Sequence, residues 1–268
     1  MSARTVLPLP GELPDLAIPP ARMRRWRDGR PLKRWRYVGL YGPGLSLCAA
    51  RVRIGPLPQA FWAVWDGMAL RERTVFRRGG LVLGDGVLRA GPVDLRWQAD
   101  GEEIAVTSRH GDSYIWTRKQ PVRAHGTVDG RAVELRGLVD DSAGYHARHT
   151  AWHWSAGVGE DAGGRALAWN LVDGVHDAPT GSERTVWVEG TPAEAPPATF
   201  AVDLTAVTFA GDDARLRFAE EARRARADDF KLLASEYVQP FGTFAGSLPG
   251  GLELACGWGV MERHDVRW

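Results

Sequence analysis

Glycine and proline break this sequence into short runs, and that punctuation limits the possible folds more than any other feature. The chain holds 32 Gly and 17 Pro in 268 residues, which leaves segments of about five to eight residues between turn formers, a strand-and-turn rhythm. Sixteen runs read as strands: 36–40, 45–54, 60–65, 70–76, 93–98, 104–108, 113–118, 122–128, 132–139, 150–154, 166–172, 184–189, 199–204, 232–238, 241–248 and 252–261. Several alternate, as in Arg71-Glu72-Arg73-Thr74-Val75-Phe76 and Val93-Asp94-Leu95-Arg96-Trp97, the pattern of antiparallel strands with one buried face. Gly250-Gly251 reads as a hairpin turn. Helix candidates are few. The stretch from Phe218 to Ala227 is rich in good helix formers but offers mostly alanine as its apolar surface, which predicts a short surface helix. A second option covers residues 142–154, with Ser142 as cap. A parallel doubly wound sheet lacks the crossovers it needs, so the expected class is all-β and antiparallel.

Sixteen strands exceed the roughly eight of one small barrel, and closing a sheet removes its exposed edges. Two barrel-like halves follow, 37–140 and 141–268, behind an N-terminal basic arm, 1–36. The stretch 191–197 (TPAEAPP) reads as a surface loop, and no internal repeat is visible.

Composition excludes other classes. With 44% hydrophobic and 25% charged residues and a net charge of +1, the chain is neither disordered nor coiled coil nor collagen. No run approaches the roughly 18 apolar residues of a membrane span, and prolines interrupt residues 1–20 before a signal-peptide core forms, so a cytoplasmic address is expected. Cys48 and Cys256 stand far apart and read as reduced thiols. Balanced charge argues against nucleic acid as the main partner. The local exception is the basic stretch 22–36 (RMRRWRDGRPLKRWR). Only Lys33, Lys119 and Lys231 are lysine, so 34 − 3 = 31 of the basic residues are arginine, and a solvated or internally paired arm is its ordinary explanation.

The common catalytic signatures are absent: there is no G-x-x-x-x-G-K-[ST], H-E-x-x-H, G-x-S-x-G or paired C-x-x-C. The glycine-rich stretch 157–163 misses G-x-G-x-x-G and reads as a turn. Twelve tryptophans suggest an aromatic-lined cavity for a hydrophobic ligand, a sugar ring or a cationic intermediate, against the alternative of plain core packing. Trp62 and Trp65 fall on opposite faces of their strand, whereas Trp152 and Trp154 share one. His149 and His153 sit one turn apart if helical and on one face if extended. They lack evident further ligands, so neither metal nor cofactor is expected. Polar residues gather at Arg109-His110-Gly111-Asp112, at Asn170 through His176 and Asp177, and at Glu262-Arg263-His264-Asp265. On a terminal strand Glu262 and His264 point the same way, a possible proton-transfer pair; an ion pair with Arg263 or Arg267 is the plainer alternative.

Several phrases carry a family resemblance. They are Leu32 to Gly39 (LKRWRYVG), Phe61 to Trp65 (FWAVW), His110-Gly111 leading to Tyr114 to Lys119 (YIWTRK), and Asp141 to His146 (DSAGYH). Trp169-Asn170-Leu171 through Gly174-Val175-His176-Asp177, Ser182-Glu183-Arg184, Gln239-Pro240-Phe241-Gly242 and Gly259 to Asp265 (GVMERHD) belong with them. Together they resemble the domain of unknown function 2804 family over nearly the whole chain. That family is distantly similar to lipocalin-like proteins that include carotenoid hydratases and AttH-type proteins. The resemblance implies a calycin-type architecture of two lipocalin-like halves and supplies no established activity.

The expected function is binding of a small, mainly apolar ligand in an aromatic-lined barrel pocket, with acid–base chemistry of the hydratase, cyclase or isomerase kind. A carrier or sensor without turnover is the alternative, and carbohydrate processing a further one, needing two carboxylates roughly 5 to 10 Å apart. The expected catalytic residues are Glu262, His264, His176 and Asp177. The expected ligand-binding residues are Trp62, Trp65, Trp116, Tyr145, His149, Trp152 and Asn170.

Overall fold

A computed structural model of the chain describes residues 4–6, 20–76, 79–230 and 233–268. Of the expected N-terminal arm, residues 1–3 and 7–19 lie outside the described residues, as does residue 232 of one predicted strand. One short 3-10 turn, Pro20–Arg22, is the helical content of the described residues. No helix among them is long and apolar enough to cross a membrane.

The strands run in chain order β1 Arg4–Val6, β2 Trp26–Arg27, β3 Arg30–Pro31, β4 Lys33–Gly42, β5 Leu45–Ile54, β6 Leu57–Trp65, β7 Leu70–Val75, β8 Val82–Gly84, β9 Val87–Ala90, β10 Val93–Ala99 and β11 Ile104–His110. They continue as β12 Ser113–Val128, β13 Arg131–Gly144, β14 His149–Asp161, β15 Ala166–Asp173, β16 Thr185–Val188, β17 Thr191–Glu194, β18 Ala198–Phe200, β19 Ala206–Phe209, β20 Asp212–Phe230, β21 Leu233–Leu248 and β22 Leu252–Arg267. Tight turns set the registers. Asp28-Gly29, Asp129-Gly130 and Glu189-Gly190 each place two consecutive residues at positive φ, the two-residue hairpin geometry that follows strand twist. Gly250 and Gly251 do the same between β21 and β22.

Two antiparallel sheets result, and they repeat one topology. The first runs β7-β6-β5-β4-β13-β12-β10-β9-β8, with β11 added on β12 and β1 parallel to β11. The second runs β17-β16-β15-β14-β22-β21-β20-β19-β18. In both, a four-strand meander is closed by the last strand returning to pair with the first. Each curls until matching strands approach, β5 near β8 and β15 near β18. The chain is therefore all-β, built of two lipocalin-like half-barrels. It passes from one to the other over residues 145–148.

Alternation along the strands sorts the side chains. Val38, Leu40, Leu47 and Ala49 fill the first curled sheet; Leu167, Trp169, Phe244 and Met261 fill the second. The opposite faces of the same strands pack the two sheets together through Tyr37, Tyr41, Cys48, Trp154, Val158, Phe241 and Val260.

Three expectations are corrected. The helix expected from Phe218 to Ala227 is part of β20, which pairs with β21 along that length; long-range pairing outweighs the local preference of an alanine-rich run. Residues 142–154 are the end of β13, a short loop and the start of β14, so Ser142 caps no helix and donates instead to the Trp116 carbonyl at 3.0 Å. Third, the deeper interiors of both curled sheets are packed with apolar side chains, and the aromatic cavity lies between the sheets.

Candidate active site between the sheets

The cavity, about 140 Å³, takes its walls from both halves. From the first sheet, β4 contributes Trp35 and Tyr37, β12 contributes Thr117 and Lys119, and β13 contributes Asp140 and Ser142. From the second, β14 contributes Trp152 and Trp154, β21 Tyr237, and β22 Glu262 and His264. Each set steps by two along its strand, so one sheet face delivers it. His146 and His176 enter from loops, and Glu183 from the segment before β16. Trp35 stacks on Trp152 across the space, ring centroids 6.5 Å apart at 8°, and Tyr37 meets Trp154 edge to face at 5.4 Å.

Glu262 is the best-defined acid in the wall. One carboxyl oxygen accepts from Trp152 Nε1 at 2.8 Å and the other from Gln239 Nε2 at 2.8 Å. Burial pushes its pKa up to about 7; the two donors act against that shift, and the Asp140 charge adds to it. Desolvation wins because the group is only 8% exposed. Gln239 is held in turn by Arg224, whose Nη1 reaches Gln239 Oε1 at 3.1 Å.

A second polar group faces the cavity. Lys119 Nζ pairs with Asp140 at 2.8 Å and Glu183 at 3.4 Å and sits over the Trp154 ring. Burial works against the Lys119 charge, and the two carboxylates override it and hold its pKa above the usual value. Asp140 rises to about 6, chiefly through burial, although Lys119 pulls it down. Glu183 Oε2, His176 Nε2 and His146 Nδ1 are buried with no hydrogen-bond partner among the described residues. Burial drives the imidazoles toward neutrality: His176 falls to about 3, His264 to about 4, and His146 well below the ordinary value. His176 Nδ1 is 2.6 Å from Ser108 Oγ, and its backbone is left-handed, φ 50°, a strained conformation for a non-glycine residue.

Of the residues singled out in the sequence, Glu262, His264, His176 and Trp152 meet at this cavity. The others lie elsewhere. Asp177 is exposed and accepts from the Gly174 N–H at 2.8 Å, closing a turn. Asn170 is one layer behind the wall, accepting from Trp154 Nε1 at 2.8 Å and donating to the Glu183 carbonyl at 2.9 Å. Trp62 packs in the first interior core, and Trp65 donates to Glu221 at 3.0 Å. Tyr145 is buried with its hydroxyl donating to the Arg24 carbonyl. His149 pairs with Asp265 at 2.9 Å on the outer face. Extended geometry sends His149 and His153 away from Trp152 and Trp154, and no group of three metal-ligating side chains converges among the described residues. Trp116 lies at the mouth of the first curled sheet.

The Lys119–Asp140–Glu183 group was not singled out in the sequence. The available signal was rarity: in a chain of 31 arginines and three lysines, both described lysines, Lys33 and Lys119, are buried.

Two solved structures share this architecture. A protein described as an AttH, from Nitrosomonas europaea, matches at TM-score 0.54 and 15% identity, covering 95% of this chain and 97% of its own. Kievitone hydratase from Nectria haematococca matches at TM-score 0.53 and 10% identity, covering 86% of this chain and 88% of its own. At such identities the likeness concerns the fold. No curated protein matches the sequence. The family model "Domain of unknown function (DUF2804)" matches residues 93–268, the stretch that supplies Lys119, Asp140, Trp152, His176 and Glu262, and the chain belongs to that family.

Proposed function

We propose that this protein binds a small, mainly apolar molecule between its two sheets and performs acid–base chemistry on it, a hydration, cyclisation or isomerisation, with Glu262 as proton donor. The observation that carries the reading is a carboxyl with pKa near 7 in a cavity walled by Trp35, Tyr37, Trp152 and Trp154. A general acid works best when its pKa is close to the operating pH. In the proposed step the neutral carboxyl gives its proton to one carbon of a double bond, whose π electrons form the new C–H bond. The resulting cation lies against aromatic faces. Water then captures it and sheds a proton, giving hydration, or a neighbouring C–H proton returns to the carboxylate, giving isomerisation. That one similar fold is named a hydratase supports this class of chemistry by analogy.

The test begins with mass spectrometry of small molecules extracted from the purified protein. The compound identified is then supplied to wild type and to Glu262→Gln. The expected result is bound compound in both and turnover reduced by about 10²-fold or more in the variant. Full activity in the variant would remove Glu262 from the mechanism. Binding without turnover in wild type would point instead to a carrier, which needs the same cavity but no proton donor.

A further inference from the structure

The mouth of the first curled sheet holds a second concavity, about 710 Å³, floored by Ala60 and Leu81 of the interior core. Its wall is two successive rungs across four neighbouring strands. One rung reads Arg51 on β5, Arg36 on β4, Asp141 on β13 and Arg118 on β12; the next reads Arg53, Arg34, Ala143 and Trp116. Arg36–Arg51 and Arg34–Arg53 are thus like-charge pairs directly opposite each other on β4 and β5, an arrangement that costs stability.

The charges are only partly answered. Asp141 accepts from Arg36 at 2.6 Å and from Arg118 at 2.5 Å, while Asp85 and Glu103 at the rim pair with the same two arginines. Arg51 donates to the carbonyls of Leu81 and Leu83 at 2.7 and 3.2 Å, which aim its guanidinium and carry no charge. Among the described residues, Arg34, Arg51 and Arg53 have no carboxylate partner. Five arginines and one aspartate therefore line the bowl. These side chains project from the faces of β4, β5 and β13 opposite to Tyr37, Ala50 and Asp140, so the proton-transfer reading above makes no use of them.

We infer that this bowl binds the oxyanion head group, phosphate or carboxylate, of a small organic molecule, with Arg34 and Arg53 matching its charge and Trp116 flanking its body. The planar fork of arginine suits bidentate pairing with either oxyanion. The concave shape favours a small molecule over an extended polyanion.

The experiment is calorimetric titration of the full chain at low salt with decyl phosphate, decanoate and, as neutral control, decanol. The expected result is saturable binding of at least one anion and none of decanol, with affinity falling as salt rises. The tighter of the two anions identifies the head group. In Arg34→Gln/Arg53→Gln the affinity should drop at least tenfold while the Tm stays level or rises, since a repulsive pair is removed. A purely structural role for these arginines would instead lower the Tm. Arg53→Lys, which keeps the charge and loses the fork, should bind several-fold more weakly. Equal binding of decanol, unchanged affinity in the double variant, or binding to anionic vesicles with no small oxyanion bound would each overturn the inference. None of these readouts depends on Glu262 or on turnover.

Discussion

At the residue scale the molecule turns on what burial does to single ionisable groups. Glu262 has a folded-state pKa near 7 against an ordinary 4.5. A carboxyl with a raised folded-state pKa favours the folded chain at pH below its unfolded value and loses that stability as pH climbs through the folded value. Histidines 146, 176 and 264 are lowered and act oppositely, withdrawing stability as pH falls below about 6.5. The difference in unfolding free energy between wild type and Glu262→Gln isolates the carboxyl. It should decline, in wild type relative to the variant, by roughly 3 kcal/mol between pH 4.5 and 7 and stay flat above pH 8. Superimposed is a pH-independent offset against the variant. Both carboxyl oxygens accept from N–H donors, and a glutamine offers only one acceptor there. Gln239 cannot turn over to help, because its own oxygen already accepts from Arg224. Urea unfolding of both proteins across that range is the measurement, and parallel pH profiles would show that Glu262 keeps an ordinary pKa. Sharing of one face by Glu262 and His264 was legible from their spacing of two. The partners Trp152 and Gln239 were not, since their approach depends on pairing across three strands.

At the element scale, short punctuated runs revealed the strands, and bulges concealed how they face. β20 is the clearest case. Phe218 packs with Phe244 inside the second curled sheet, whereas Arg224 reaches Cys48 and Gln239 between the sheets, although both residues are even-numbered on one strand. The register shift between Glu220 and Ala222 inserts an extra residue and exchanges the faces. No alternation spans residues 218–227, and a stretch of alanine, arginine and glutamate without alternation reads as helix. On β22, Gly259 beside Trp258 is required by close backbone approach. A Cβ on Gly259 would overlap the carbonyl oxygen of Ala156 and crowd the backbone of Gly157 on β14. Gly259→Ala must therefore push β22 away from β14, next to Val260 and three residues from Glu262. The expected cost is roughly 1–3 kcal/mol, read as a lowered Tm by circular dichroism. An unchanged Tm would mean that β22 carries the extra methyl without moving.

At the scale of the whole molecule, two copies of one nine-strand order are joined face to face. The sequence shows no repeat because the matching strands share positions and not residues. Each half curls around its own apolar interior, yet the surface between them is equally buried and is tied by polar contacts that cross it. Lys119 and Asp140 come from the first half and Glu183 from the second. Trp187 Nε1 donates to the Glu102 carbonyl at 2.8 Å, and Arg136 reaches the carbonyls of Gly159 and Leu167. Separating the halves would expose Trp154, Phe241 and Val260 and would strip Glu183 of Lys119, its cation from across the seam. We therefore expect unfolding in a single transition, with the tryptophan signal in near-ultraviolet circular dichroism and the strand signal in the far ultraviolet melting together. Lys119→Met tests the coupling. It leaves Asp140 and Glu183 facing each other without their cation, and removing one partner of a buried ionic group typically costs about 3–5 kcal/mol. If the seam binds the halves into one unit, the substitution lowers that single transition without dividing it. Two resolved transitions, with only the first moved by the substitution, would mean that each half stands alone.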